Sequence, residues 1–234
     1  MTINNFIEEV RKLGIEINEE QINKLEKYYA LLIEWNNKIN LTRIINKEEV
    51  YLKHFYDSLT LYKVNELINF NNEISLCDVG TGAGFPGIVL KIIFPNIKIT
   101  LIDSLQKRIN FLNEVIKELN LNDIETIHAR AEDYAKTHRE EFDIVTSRAV
   151  ANLKILSELC LPMVKVSKYF IPMKANVEEE INDSKEILSK LKSNIIKIYN
   201  FKLPIEESIR NIIVIKKQEK TNKIYPRRMD KIKE

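Results

Sequence analysis

The chain has 234 residues, 44% of them hydrophobic, enough apolar material for one substantial core with an appendage. No apolar run approaches a membrane span, and Met1-Thr2-Ile3-Asn4-Asn5-Phe6 lacks the basic and apolar regions of a signal peptide. Cys77 and Cys160 have neither metal nor redox spacing, so the reading is a cytoplasmic protein, a monomer, with buried thiols and no metal. The formal net charge is only +2, but residues 216–234 hold eight basic side chains against three acids, so the body is slightly acidic. A basic tail on such a body points to a polyanion partner.

The first 70 residues read as helical. Ile3, Phe6, Ile7, Val10 and Leu13 follow helical spacing, and Gly14 stands where a helix ends. Asn18 with Gln21 three residues on predicts a capped second helix, whose apolar stripe is Ile22, Leu25, Tyr28, Tyr29, Leu32 and Trp35. Asn46 and Glu49 repeat the pattern before a third helix near 47–64. Asn71-Asn72 marks a boundary between this helical region (1–70) and a second domain (71–219), followed by the basic tail (220–234).

Beyond that boundary strands alternate with helices. Strands are predicted at 75–80, 97–103, 124–128, 142–147 and 168–174, and helices at 86–94, 105–120, 151–162 and 177–192. Short apolar strands separated by helices imply a parallel sheet covered on both faces. The segments 195–203 and 210–217 leave no room for a helix between them and read as an antiparallel hairpin. Five parallel units closing in a hairpin resemble the seven-stranded, Rossmann-like class I methyltransferase sheet, an α/β fold.

The most informative stretch is Leu76-Cys77-Asp78-Val79-Gly80-Thr81-Gly82-Ala83-Gly84-Phe85-Pro86-Gly87, an apolar strand running into glycines at a helix start. Such a loop lets a ligand touch the backbone with no Cβ in the way. The spacing formally matches a dinucleotide fingerprint, with Asp103 following at a suitable distance. Asp78, however, is an acid inside the strand, where it would repel a pyrophosphate. S-adenosylmethionine has no phosphate and carries a cationic sulfonium and amine, so it suits this loop better than NAD.

Ligands of such sheets bind beyond the carboxyl ends of the strands. Gly80, Gly82 and Gly84 end the first strand, and Asp103 with Ser104 ends the second, where the acid can accept two ribose hydroxyls. Glu132 follows the third strand, beside the expected adenine. Arg148 ends the fourth, nearest the expected reaction centre, and can hold a phosphate or a base edge. The Asn/Asp-Pro-Pro-aromatic signature of amine methylation is absent there, and Cys160 sits in an apolar helix rather than where a pyrimidine-C5 nucleophile belongs. A guanine N7 has a free lone pair and needs only positioning. His54, His128 and His138 show no ligand spacing.

Taken together, the chain resembles the bacterial small-subunit rRNA guanine-N7 methyltransferases, first named glucose-inhibited division protein B. The resemblance rests on Trp35 to Thr42 (ending Asn40-Leu41-Thr42), His54 to Leu59, Asp78 to Gly87, Asp103 to Arg108, Arg130-Ala131-Glu132 and Ser147-Arg148-Ala149. It implies S-adenosyl-L-methionine as methyl donor, 16S rRNA or the 30S subunit as substrate, and methylation of one guanine in the 530 loop at N7. It also implies cofactor contacts at Gly80, Phe85, Ala131, Glu132 and Arg148. The tail departs from the family pattern at Tyr225-Pro226-Arg227-Arg228-Met229-Asp230. RNA phosphates are expected to meet Arg11, Lys12, Lys24, Lys27, Lys38, Arg227 and Arg228, beside the cofactor cleft. Two other readings compete: an NAD-dependent dehydrogenase, and an RNA-binding protein without catalysis.

Overall fold

The computed structural model describes residues 1–148 and 150–232. Helix α1 (Ile3–Lys12) starts at Thr2, whose hydroxyl accepts the Asn5 N–H, and ends before Gly14 at φ +89°. Helix α2 (Glu19–Ile39) carries the full capping box: Asn18 accepts from the Gln21 N–H and Gln21 returns the bond. The third helical stretch runs from Lys47 to Val64 as expected, but its pitch changes three times. It opens as α3 (Lys47–Val50), widens into a π segment (Tyr51–Tyr56), returns to α4 (Asp57–Leu59) and tightens into a 3-10 turn (Thr60–Val64). π segments often occur at functional sites, and this one carries His54.

The sheet follows the order β3-β2-β1-β4-β5-β7-β6. Strands β1 (Ser75–Val79), β2 (Lys98–Asp103), β3 (Ile124–His128), β4 (Phe142–Arg148) and β5 (Val164–Lys174) are mutually parallel. Strands β6 (Ser193–Lys202) and β7 (Ile209–Lys217) form the hairpin, and β7 is antiparallel to both β5 and β6. A dinucleotide fold in the order 3-2-1-4-5-6 keeps its sixth strand parallel, so this closing hairpin argues against the NAD reading. Four consecutive β1 residues, Leu76 to Val79, are buried, as befits a strand covered on both faces.

Between the strands lie α5 (Gly87–Ile93), α6 (Gln106–Glu118), α7 (Ala131–Thr137), α8 (Leu153–Cys160) and α9 (Glu178–Lys190), with a short α10 (Met229–Ile232) in the tail. Pro86 precedes α5 rather than opening it. Helix α8 stops two residues early because Pro162 offers no N–H; a 3-10 turn follows and β5 begins at Val164, four residues sooner than expected. Helix α7 was not anticipated.

Two apolar clusters flank the sheet. One joins Phe6, Leu25, Tyr28, Leu32 and Phe55 of the N-terminal helices to Leu76, Ile88, Leu101 and Phe111. Packing therefore continues across residue 71 without a break. Phe6, Tyr28 and Phe55 are each fully buried, and burying a side chain of this size contributes about 1.5–3 kcal/mol. The other cluster joins Cys77, Val79, Leu156, Phe170 and Ile213 to Tyr225 and Ile232 of the tail.

The tail is not the free basic arm that its charges suggest. Lys217 is fully buried, 3.0 Å from Glu140 and bonded to the carbonyls of Leu161 and Pro162. Arg139 donates to the carbonyls of Thr221 and Tyr225, both at 2.7 Å. Arg227 forks onto the buried Glu158 at 2.9 and 2.7 Å. Because β7 runs antiparallel, the chain leaves it at the amino ends of the parallel strands. The segment from Lys217 to Arg227 thus packs at the opposite end of the sheet from the strand ends where a cofactor binds, not beside the cleft. Lys220, Lys223, Arg228 and Lys231 remain exposed; Lys233 and Glu234 lie outside the described residues.

Candidate functional site

A cavity of about 410 Å³ opens at the carboxyl ends of β1, β2 and β4. Its volume falls in the range of small-molecule sites. One wall is the glycine loop with the end of β2; the other is the end of β4 with residues of the N-terminal helices.

The first wall is built by two carboxylates. Asp78 is fully buried, and its Oδ2 accepts from the Thr81 hydroxyl at 2.7 Å and the Gly87 N–H at 2.9 Å. It thereby clasps the loop onto its strand. Burial pushes its pKa up to about 6, against the pull of those two bonds. The sequence placed Asp78 against the cofactor; Asp78 is not among the residues that line the cavity, and its Oδ2 is taken up by partners within the loop. Its Oδ1 has no hydrogen-bond partner.

Asp103 lies on the cavity. Its Oδ1 accepts from the Leu105 N–H at 2.9 Å, and Oδ2 accepts from the Gly82 N–H at 3.0 Å and Arg108 at 3.1 Å. Gly82 has φ +61°, and no atom lies within 4 Å of where its Cβ would stand. It presents open space to the cavity beside that carboxylate. Gly84 serves packing instead: a Cβ there would press on Ile88, the Tyr28 hydroxyl and Leu112. The Tyr28 hydroxyl donates to the Ala83 carbonyl, fixing the loop from α2. Gly80, Phe85 and Ser104 line the cavity, whereas Gly84, Ala131 and Glu132 do not.

The second wall is centred on Arg148, which lines the cavity. One of its nitrogens donates to the Lys53 carbonyl and to Asp57 Oδ2, both at 3.0 Å, and the other meets His54 Nδ1 at 3.1 Å. Asp57, almost fully buried, is held on its other oxygen by Arg210 at 3.2 Å. The guanidinium also lies 5.3 Å from the Phe85 ring centre, and His54 stacks on the same ring at 4.4 Å. His54 Nε2 reaches the Thr42 hydroxyl at 2.9 Å. Burial and the Arg148 charge hold the His54 pKa down to about 3, so its ring is neutral.

Residue reading alone missed His54, Asp57, Thr42, Arg108 and Arg210. His54 sits in the π segment, which has no sequence signature, and Asp57 opens α4 directly after it. Each of their contacts to Arg148 or Arg210 spans more than 90 residues, beyond any local pattern. Only the quoted family segments 35–42, 54–59 and 103–108 took in Thr42, His54, Asp57 and Arg108, and none took in Arg210.

Among the described residues, no group of three or more His, Cys, Asp or Glu could hold a metal ion, and no helix is long and apolar enough to cross a membrane. The expected RNA-contacting cations of the N-terminal region all have acidic partners. Arg11 pairs with Glu16, Lys12 with Glu9, Lys24 with Glu20, Lys27 with Glu118 and Lys38 with Glu34, at 2.6–3.5 Å.

Residues 21–212 match the family model GidB, described as rRNA small subunit methyltransferase G. Ribosomal RNA small subunit methyltransferase G of Bacillus cytotoxicus is 50% identical over 231 residues, covering 97% of this chain and 95% of that protein. The protein of the same name from Oceanobacillus iheyensis is 49% identical over 226 residues, covering 95% and 94%. Solved structures with the same fold include MtNAS in complex with MTA and tNA, at TM-score 0.57 and 15% identity, covering 82% of this chain and 74% of that one. YcgJ from Bacillus subtilis matches at TM-score 0.52 and 12% identity, covering 69% and 98%.

Proposed function

This chain belongs to the rRNA small subunit methyltransferase G family, and from that membership we propose that it transfers a methyl group from S-adenosyl-L-methionine to N7 of a guanine in the 530 loop of 16S rRNA. It is an rRNA methyltransferase on a class I methyltransferase fold. The observation that supports the cofactor part of this reading is the unobstructed face of Gly82 beside the Asp103 carboxylate, at the strand ends; the guanine target follows from the family.

The residues fit this cofactor. Asp103 would receive the ribose hydroxyls, with the partly exposed Arg108 side chain giving way. Gly80, Gly82 and Phe85 would line its path toward Arg148. When bound, the cofactor supplies an electrophilic methyl on a sulfonium. The protein then needs to orient a nucleophile, not deprotonate one. Both ring nitrogens of His54 are engaged, by Arg148 and by Thr42, so the ring is not poised as a base. A nucleophile with a ready lone pair, such as guanine N7, suits such a site. Arg148, fixed by Asp57 and the Lys53 carbonyl, holds a cation at the reacting end.

The RNA would be gripped through phosphates, which position it without reading sequence. Arg11, Lys12, Lys24, Lys27 and Lys38 are candidates that would exchange an acidic partner for a phosphate, whereas Arg228, paired with Asp230 on the tail, lies away from the cleft. Arg227 is tied to Glu158 and contributes through the packing of the tail.

The test is to incubate the protein with methyl-labelled S-adenosylmethionine and either 16S rRNA or 30S subunits, then map the modified base. Label at N7 of a 530-loop guanine is expected. Label at another atom, or in no rRNA, overturns the reading. In parallel calorimetry, heat is expected with S-adenosylmethionine and none with NAD.

A further inference from the structure

We propose that Thr42 is a specificity residue: its hydroxyl is held as a hydrogen-bond donor aimed at O6 of the target guanine. The inference rests on the guanine reading above and deepens it.

Arg148 sets the polarity of the network. A guanidinium has only donors, so His54 Nδ1, at 3.1 Å from it, accepts. The ring is neutral, so its single proton sits on Nε2. Nε2 therefore donates to Thr42 Oγ1 at 2.9 Å. The Ile44 N–H donates to the same oxygen at 3.0 Å. A hydroxyl oxygen has two lone pairs and one hydrogen. Both lone pairs are filled, so Thr42 has only its hydrogen to offer. Thr42 lines the cavity, and its backbone N–H is pinned to Asn36 Oδ1 at 2.8 Å. The hydrogen is left for the occupant of the cavity.

Thr42 shares a wall with Arg148 at the end of β4, while Asp103 ends β2; β1 lies between those strands. A ribose on Asp103 therefore leaves the Thr42 side to the reacting end. On a guanine presenting N7 there, O6 is the neighbouring acceptor of the same edge. An adenine would present an N–H₂ donor at that place and meet Thr42 donor to donor. A chain of fixed polarity, from Arg148 through His54 to Thr42, thus selects the base.

The experiment compares reconstituted 30S subunits whose mapped target is guanine or 2-aminopurine, which keeps N7 but lacks O6. Their methylation rates are measured with wild type, Thr42→Ser and Thr42→Val. The intrinsic reactivity of the two bases cancels in the ratio between enzymes. One hydrogen bond is worth a factor of about two to twelve. Wild type and Thr42→Ser are expected to favour guanine by that factor more than Thr42→Val does. Equal preference in all three overturns the proposal, since a purely structural loss slows both bases alike. So does weakened S-adenosylmethionine binding in Thr42→Val with base preference unchanged, which would assign the hydrogen to the cofactor carboxylate. Should Thr42→Val not fold, Thr42→Asp keeps an acceptor for His54 and Ile44 in an equivalent turn and removes the donor. It is then expected to lose the guanine preference, and retention of it counts against the proposal. A wild type that methylates no rRNA guanine refutes the parent reading instead.

Discussion

The two walls of the cavity are made in opposite ways. The Asp103 wall is largely local: strand, glycine loop and capping acid follow one another within 30 residues, and its carboxylates bond close neighbours or an adjacent strand, while the Tyr28 hydroxyl reaches it from a distant element. The Arg148 wall is assembled from distant parts: a β4 side chain meets His54 of the π segment and Asp57 of α4, both more than 90 residues earlier, and Arg210 arrives from β7. The first wall can hold a ligand largely with backbone and one carboxylate. The second is a polar network under an aromatic ring, and its integrity depends on the N-terminal helices being packed against the sheet. Binding of the cofactor and choice of the substrate are in this view properties of different walls.

The sharpest way to break the comparison is Gly82→Val. Its φ of +61° is a severe outlier for a β-branched residue, yet nothing lies within 4 Å of the new Cβ. The fold is expected to survive while calorimetric binding of S-adenosylmethionine drops below detection. Normal affinity in a folded variant would show that the ligand does not touch this loop.

Next in size is Arg148→Ala. It strips Asp57 of one of its two cations and His54 of its donor, and breaking a buried pair costs about 3 kcal/mol. A fall in stability of that order in denaturant is expected, with methyl transfer down roughly a hundredfold. Arg148→Lys keeps the charge but not the fork, so it should restore less than half of the lost stability. Full restoration would mean that only the charge matters.

Asp103→Ala tests the local wall alone. It should weaken S-adenosylmethionine by about 1.5–3 kcal/mol, the range for hydrogen bonds to a charged group, with little change in base preference. An affinity within a factor of two of wild type would reduce Asp103 to a loop-capping acid.

A smaller effect is the pH dependence of the distant wall. The His54 pKa is pushed down to about 3 in the folded chain, from an ordinary value near 6.5. Between those values the unfolded chain binds the extra proton, so stability falls as pH drops through this window, by at most about 1.4 kcal/mol per pH unit. Asp78, raised to about 6, works the other way: its contribution declines as pH rises from about 3.8 to 6. The difference between wild type and His54→Gln isolates the histidine. A smaller acid sensitivity is expected in the variant between pH 4 and 6; identical slopes would contradict the buried neutral ring.

The least effect is expected from neutralising Lys220, Lys223 and Arg228 together. They sit on the segment that leaves the sheet at its amino ends, so they should alter cofactor binding not at all. Each phosphate contact adds about 0.9 to the log–log salt slope of RNA affinity, and the slope should become shallower by less than one such contact. A larger change would mean that rRNA wraps around the sheet edge.

What could be read from the sequence divides along the same line. The sheet, the capped helices and the Asp103 wall follow from periodicity, glycine spacing and capping pairs, all contained within a few neighbouring residues. Asp78 sat in the right strand, but its direction depends on Thr81 and Gly87 closing over it, which spacing does not reveal. The basic tail was visible as charge, yet Arg227 and Lys217 are bound by Glu158 and Glu140 from other elements, and a charge count does not tell a paired cation from an exposed one. His54 carried no ligand spacing because its role runs through Arg148 and Thr42 rather than through a metal.

The central claim is that the nucleoside of the cofactor belongs to the Asp103 wall and the reacting end to the Arg148 wall. A crystal structure with S-adenosylhomocysteine tests it directly. The account predicts ribose hydroxyls about 2.5–3.0 Å from the Asp103 carboxylate, Arg108 displaced, and the sulfur lying toward Arg148 and Thr42. A nucleoside seated against Arg148, or a ligand bound away from Gly82, would contradict it.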